Sequence, residues 1–262
     1  MNTDRLSSQL NSQTREEKDR FSADISFVGS MYHKNSYDDI KDKLPPYLRG
    51  YFDAAMLAQL NIYGDNIIDE LLTVDILKQL SEFVDFRQDK RAFSDIRLVF
   101  ESTFLGFKLA NIERVKTLNL LAKKNKVALY TDEQDASLIN VDFKGTVDYM
   151  DDMPKVFNNS SINLNMTIRN IRTGIPLRVW DILGAGGFLL TNYQIELTDY
   201  FKNEESIVYY EDMYDCCKKA EYYLLHEDKR RQIAAKGHEL VSKKHSYINR
   251  VEYILDVIGK MS

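Results

Sequence analysis

The sequence predicts an α/β fold: a Rossmann-like parallel sheet of about six strands wrapped by helices, with a helical insertion after the first strand. Three observations predict it. Short apolar runs bounded by turn residues alternate with helix-period segments through the second half of the chain, the order of βαβ units. Between about Pro45 and Lys124 the apolar residues keep three-to-four spacing with no strand pattern among them. Hydrophobic residues make up 44% of the 262 and aromatics 11%, enough for a substantial core, and the low proline and glycine content excludes a fibrous or low-complexity chain.

Residues 1–23 are rich in Ser, Asn, Gln and charge and read as a polar tail or linker. DISFVG (24–29) reads as a buried strand meeting a glycine turn. In the insertion, 45–124, Ile67 and Leu71, then Phe93, Ile96, Phe100, Phe104 and Phe107, mark three or four helices. KVALYT (126–131) and NVDFKG (140–145) are the next strands, and a short helix near Met153–Asn158 leads to a fourth, SINLNMT (161–167). A helix over 176–185, a strand over 188–192 and a sixth strand, SIVYYE (206–211), follow. Three helices close the chain: Met213, Cys216, Ala220, Tyr223 and Leu224 mark the first, Ile233, Gly237 and Leu240 the second, and Ile248, Val251, Leu255 and Ile258 the third. No internal repeat is present.

The totals exclude several functions. A net charge of −5 rules against a broad nucleic-acid footprint, so no nucleic-acid partner is expected and any anion must meet a local basic cluster. The only cysteines, Cys216 and Cys217, are adjacent, a spacing too strained for an ordinary disulfide; read as reduced thiols they imply a cytoplasmic protein. The first 24 residues are polar and no apolar run nears the roughly 20 residues of a membrane span, so none is expected. His33, His226, His238 and His245 lack metal-ligand spacing, and there is no Asp-x-Asp pair, so no metal and no cofactor is expected. No Ser–His–Asp or Cys–His arrangement is visible, so a catalytic residue is not assigned. The charge runs at Asp89–Arg91 and Glu227–Gln232 read as solvated helix faces.

Ligands of open α/β sheets bind at the carboxyl ends of strands, beside helix N-termini. Gly184, Gly186 and Gly187 follow a helix and precede a strand, the reverse of a dinucleotide loop, and read as a helix C-cap with close helix–sheet packing. The same reversal speaks against a nicotinamide-dependent oxidoreductase. The stretch before it has the right order: a strand, TIRNIRTG, then Pro176 opening a helix. Free N–H groups at that helix N-terminus, with Arg169, Arg172 and Arg178 within reach, predict a phosphate or diphosphate site; the alternative is that the arginines are solvated or pair with Asp181 and Asp199. Asp181, farther along the helix, is placed to accept from ribose hydroxyls, or else to pair with Arg178 one turn earlier. Weaker candidates end other strands. Gly29 and Ser30 form either a close ligand approach or a plain turn. Tyr130 and Thr131 line a base pocket, or Tyr130 belongs to the core. Gly145, Thr146 and Val147 offer backbone groups to a base edge.

INLNMTIRNIRTGIPLRVWDILGAGGFLLTNY (162–193) resembles the C-terminal half of CgeB-like glycosyltransferases, a family named for a spore-maturation protein and belonging to the broad GT-B class. DISFVGSMY near the start, KGTVDYMDDMPKVFNNSSINLN, and KRRQIAAKGHELVSKKHSYINRVEYIL near the end extend the likeness over most of 24–258. The resemblance implies that 24–262 is a GT-B C-terminal domain binding a nucleoside-diphosphate sugar, with the diphosphate held by Arg172 or Arg178 and the backbone around Gly174. Related enzymes carry two glutamates with seven residues between them, the first on the sugar and the second on ribose; aligned here they fall on Thr173 and Asp181. The class pairs this domain with an acceptor-binding one ahead of it, where this sequence has only its polar segment, so the sequence is expected to be a natural short form, a piece of a longer protein, or a chain that works with a separate acceptor-domain partner. The alternative expectation is a non-catalytic module of the same fold that binds a partner protein.

Overall fold

The computed structural model describes residues 3–85 and 95–261. Phe93 and the Asp89–Arg91 charge run fall outside them. Six parallel strands form one open sheet: β1 (Ala23–Val28), β2 (Val127–Tyr130), β3 (Asp142–Phe143), β4 (Ser160–Asn165), β5 (Leu189–Asn192) and β6 (Val208–Tyr210), in the order β3-β2-β1-β4-β5-β6. This is the Rossmann-like class that the sequence predicts. The direction of succession reverses between β1 and β4, in register Ile25 with Ile162 and Phe27 with Leu164. The crevice at such a reversal, at the strands' carboxyl ends, is where doubly wound sheets bind ligands.

Parallel strands are covered on both faces, so their side chains divide by period two between two cores. Val127 and Leu129 of β2 join Ile25, Phe27, Ile162, Leu164 and Leu190 under the helices Phe107–Leu121 and Met213–Leu225. Ala128 and Tyr130 turn the other way and join Val156, Phe157, Val179, Ile182 and Leu189 under Met153–Asn159, Leu177–Gly184 and Glu227–Lys244. One polar pair sits inside: the Ser26 hydroxyl donates to Asn163 Oδ1 at 2.8 Å, and Asn163 Nδ2 donates to the Phe157 carbonyl at 2.9 Å. Cys216 lies in the first core and Cys217 at its margin, both as free thiols that burial pushes up.

The connection from β1 to β2 carries the insertion. Its helices, chiefly Pro46–Gln59, Val74–Leu80 and a π-helical stretch Phe100–Gly106, enclose a third core around Leu48, Phe52, Met56, Ile68, Leu80, Phe100 and Leu105. The π turn runs directly into Phe107–Leu121, so the insertion is continuous with the crossover helix that packs on the sheet.

Residues 1–23 read as a polar tail, yet the structure has two helices there, Thr3–Asn11 and Arg15–Phe21. The local cause is a capping box: Thr14 accepts from the Glu17 N–H while Glu17 returns a bond to the Thr14 N–H at 2.9 Å. Leu6 and Phe21 are buried, and Gln9 donates to the Asp151 carbonyl at 2.8 Å. Among the described residues, no helix is long and apolar enough to cross a membrane.

Candidate functional site

The helix Leu177–Gly184 has glycines at both ends, with different duties. At the carboxyl end Gly186 takes φ +76°, its N–H bonding the Leu183 carbonyl at 3.0 Å, while the Gly187 N–H reaches the Ile182 carbonyl at 3.0 Å. This is a Schellman cap. A Cβ on Gly187 would stand 2.6 Å from both Asn163 Nδ2 and the Phe157 carbonyl, so helix and sheet meet there backbone to backbone. The triplet is a packing device, as its order in the sequence predicts.

At the amino end the chain leaves β4 through Met166–Pro176. Pro176 is extended and stands just outside the helix, which no side chain caps. Gly174, at φ +94°, has nothing within 4 Å of where a Cβ would be, so only backbone conformation requires glycine. Its N–H donates to the Glu196 carboxylate. The loop therefore already presents a backbone donor to an anionic oxygen.

The three arginines grouped by the sequence part company. Arg169 is buried: its Nη2 donates to Glu113 Oε1 at 2.8 Å, and its guanidinium carbon lies 3.5 Å from the Tyr63 ring centroid. Arg172 turns to the insertion, 2.9 Å from Asp69 Oδ2 and 3.6 Å from Glu101 Oε1. Arg178 stays on the helix, over Phe157 and against the Met153 sulfur, 3.5 Å from Asp181 Oδ2. Asp181 also accepts from the Tyr149 hydroxyl at 2.9 Å. Burial raises the Asp181 carboxyl above its ordinary range, opposed by Tyr149 and Arg178, and lowers the Arg178 guanidinium. The intrahelical pair that the spacing allows is formed; the partner from the 145–149 loop was not legible. Thr173 lies exposed between Arg172 and Gly174.

The remaining candidates line the carboxyl edge. Backbone bonds link them: the Gly29 N–H to the Tyr130 carbonyl and the Thr131 N–H to the Gly145 carbonyl, each at 3.0 Å. Ser30 caps its own turn by accepting from the Tyr32 N–H at 3.1 Å. Tyr130 has its ring in the core, where burial pushes its hydroxyl up to about 12. Thr131 is buried, Gly145 takes φ +74°, Thr146 is exposed, and Val147 packs on the Tyr130 core.

Sequence reading missed the group that spans the reversal point itself. Arg114, from the crossover helix, is buried and donates to the Ser30 carbonyl after β1 and, at 2.6 Å, to the Met166 carbonyl after β4. Next to it Glu113 takes Arg169 and, at 3.1 Å, the Tyr63 hydroxyl. Two buried guanidiniums thus stand side by side, Arg169 paired with the buried Glu113 carboxylate and Arg114 with two backbone carbonyls, and the seam between β1 and β4 is closed by side chains of the insertion and its crossover helix. The available signal was an acid–base pair, Glu113–Arg114, on a helix with apolar residues on either side. His33 pairs with Glu133 and His238 with the Leu183 carbonyl; among the described residues no group of three His, Cys, Asp or Glu side chains is arranged to hold a metal.

An open parallel sheet with a reversal point and a glycine-turned loop leading into a helix defines a Rossmann-like, doubly wound α/β domain. A family model described as glycosyl transferase-like matches residues 111–256, more than half of the chain, and the chain belongs to that family. Among curated proteins none matches. Among solved structures, that of TarM is similar at 14% identity with a TM-score of 0.44, over 55% of this chain and 31% of TarM, so the likeness spans less than a third of that protein.

Proposed function

We propose that this chain is the donor-binding part of a glycosyltransferase of the CgeB-like kind, taking a nucleoside-diphosphate sugar in the cytoplasm, with its diphosphate at the amino end of Leu177–Gly184. Family membership supports the reaction class. The observation that carries the site is the Gly174 N–H, already engaged by a carboxylate in front of an uncapped helix end. A diphosphate oxygen replaces Glu196 there and gains the helix's partial positive charge. Arg178 supplies the nearest cation on the helix, and Asp181, held by Tyr149, accepts from ribose. The strand-end turns at Gly29, Thr131 and Gly145, tied together by their own backbone bonds, border the base in this reading. In the reaction the bond between the anomeric carbon and the diphosphate oxygen breaks, and its electron pair leaves with the nucleoside diphosphate. The acceptor hydroxyl forms the new bond and loses its proton. Fixed N–H groups and a guanidinium stabilise the charge growing on the leaving diphosphate without calling on a metal. An acceptor-binding domain, on a longer form of this chain or on a partner, completes the cleft in this reading.

Calorimetric titration of UDP, GDP and ADP tests it. The expected result is sub-millimolar binding of one nucleotide, weakened about tenfold or more in Arg178→Ala. A wild-type chain that binds none of the three below millimolar sinks the reading. The second reading, a non-catalytic module that docks a partner, draws on one feature: the helix Tyr247–Met261 leaves Tyr247, Ile248, Val251, Ile254, Leu255 and Ile258 more than half exposed. Absence of nucleotide binding would favour it.

A further inference from the structure

A groove of about 630 Å³ runs between the insertion and the 170–173 loop, a volume in the range of small-ligand sites. Its chemistry differs from that of the helix end beside it. Three carboxylates, Asp69, Asp95 and Glu101, face two guanidiniums, Arg97 and Arg172, so acid is in excess. Both guanidiniums are already taken: Arg172 lies 2.9 Å and Arg97 3.8 Å from Asp69. A phosphate here would displace carboxylates and meet the remainder as like charge, so the groove does not suit an anion. What it does offer is donors and acceptors side by side, with the Ser102 hydroxyl among them and two partly exposed apolar side chains, Leu98 and Ile171, as a floor. Hydroxyl groups that both donate and accept, set on an apolar ring face, match that lining.

Glu101 is the built element. It is 5% exposed, sits on the π-helical stretch, and accepts from Asn66 Nδ2 at 2.5 Å. Gly106 closes that turn against it: a Cβ there would stand 3.0 Å from the Glu101 carbonyl oxygen. Irregular helical turns of this kind gather at functional positions because they redirect a side chain that a regular helix would aim elsewhere. Here the turn brings a carboxylate from the insertion to 3.6 Å from Arg172, next to Thr173.

We infer that this groove takes the neutral, hydroxyl-rich ring of a sugar, with Glu101 and Asp69 accepting from its hydroxyls, Arg172 donating to them, and Ser102, whose own proton goes to the Leu98 carbonyl, accepting one more. The inference deepens the proposed function and rests on it for the source of the sugar, which is either the donor's own glycosyl group or a saccharide acceptor. The insertion then acts as the sugar-selecting wall of the site.

The test compares the wild-type chain with Glu101→Gln and Asp69→Asn; should Glu101→Gln unfold, Asp69→Asn carries the comparison. Each is titrated with UDP, GDP and ADP, with UDP-glucose, GDP-mannose and ADP-glucose, and, by saturation-transfer NMR, with free glucose, N-acetylglucosamine and maltose. A nucleotide sugar that binds wild type at least tenfold tighter than its nucleotide, with that gain lost in both variants and nucleotide affinity kept, supports the donor source. Saturation transfer to a free saccharide that both variants abolish supports the acceptor source. That result supports the groove even if no nucleotide binds, in which case the diphosphate reading alone falls. No sugar-dependent gain and no saccharide binding overturns the inference, as does an equal loss of nucleotide and nucleotide-sugar affinity in the variants.

Discussion

Arg169 and Arg172 leave the same loop three residues apart and meet opposite circumstances. The Arg169 side chain is 4% exposed and its partner Glu113 2%; the Arg172 side chain is 49% exposed and its partner Asp69 31%. One pair has given up its water, so its attraction is strong and breaking it strands a charge. The other keeps its water, so its attraction is weak and its partners can be exchanged. The comparison teaches that the loop has a structural root and a responsive tip. The root seals the β1–β4 seam together with Arg114, and the tip lies where a ligand can compete for it.

The comparison is most severely strained by Glu113→Gln. Removing the carboxylate leaves Arg169 buried without its ion-pair partner, and an expected loss of about 3–5 kcal/mol should appear in urea unfolding. A loss under about 1 kcal/mol would mean that water reaches the seam and that the root is not sealed. Arg172→Ala should cost less than about 1 kcal/mol in the same measurement, because its guanidinium is half exposed and its nearer partner, Asp69, is solvated. A larger loss would make the tip structural as well. The smallest effect is a pH dependence. Burial raises the Glu101 carboxyl above its ordinary value of 4.5, opposed by the charge of Arg172. The folded chain then holds that proton more tightly than the unfolded chain does. The contribution is therefore full below pH 4.5 and is lost as pH rises through the raised value. Unfolding curves of wild type and Glu101→Gln should converge toward acid and separate above it, wild type losing ground. Removing Arg172 should widen that separation, and curves that stay parallel would show that Glu101 is solvated.

Much of the fold was legible because buried parallel strands are continuous apolar runs and Pro176 marks a helix start. All six strands lie where those runs predict, with ends shifted by at most two residues, and the glycine triplet's position after a helix sufficed to read it as a cap. Other features were less accessible. The Leu197–Tyr200 helix is a single turn with too little periodicity to detect. The helices before β1 hid behind polar composition, although Thr14 and Glu17 spell a capping box. At the site, sequence order placed the loop and the helix end but not the arginines' partners. A guanidinium on a long stem chooses among groups brought near by distant segments, and the insertion supplies Glu113, Asp69 and Glu101 from 56, 103 and 71 residues away, respectively. The one sequence cue for Glu101 was a lone acid in the apolar run VFESTFLGF.

Arg114 has a consequence for how the molecule comes apart. Its guanidinium joins the carbonyls that follow two non-consecutive strands, and the helix that carries it continues straight into the π turn of the insertion. Loosening the insertion would draw a desolvated cation out of the sheet's edge, and parting the two strands would strip it of both acceptors. The inserted helices and the sheet should therefore melt as one cooperative unit, and shortening the chain to the sheet alone should leave the seam between β1 and β4 without the guanidinium that joins its two edges.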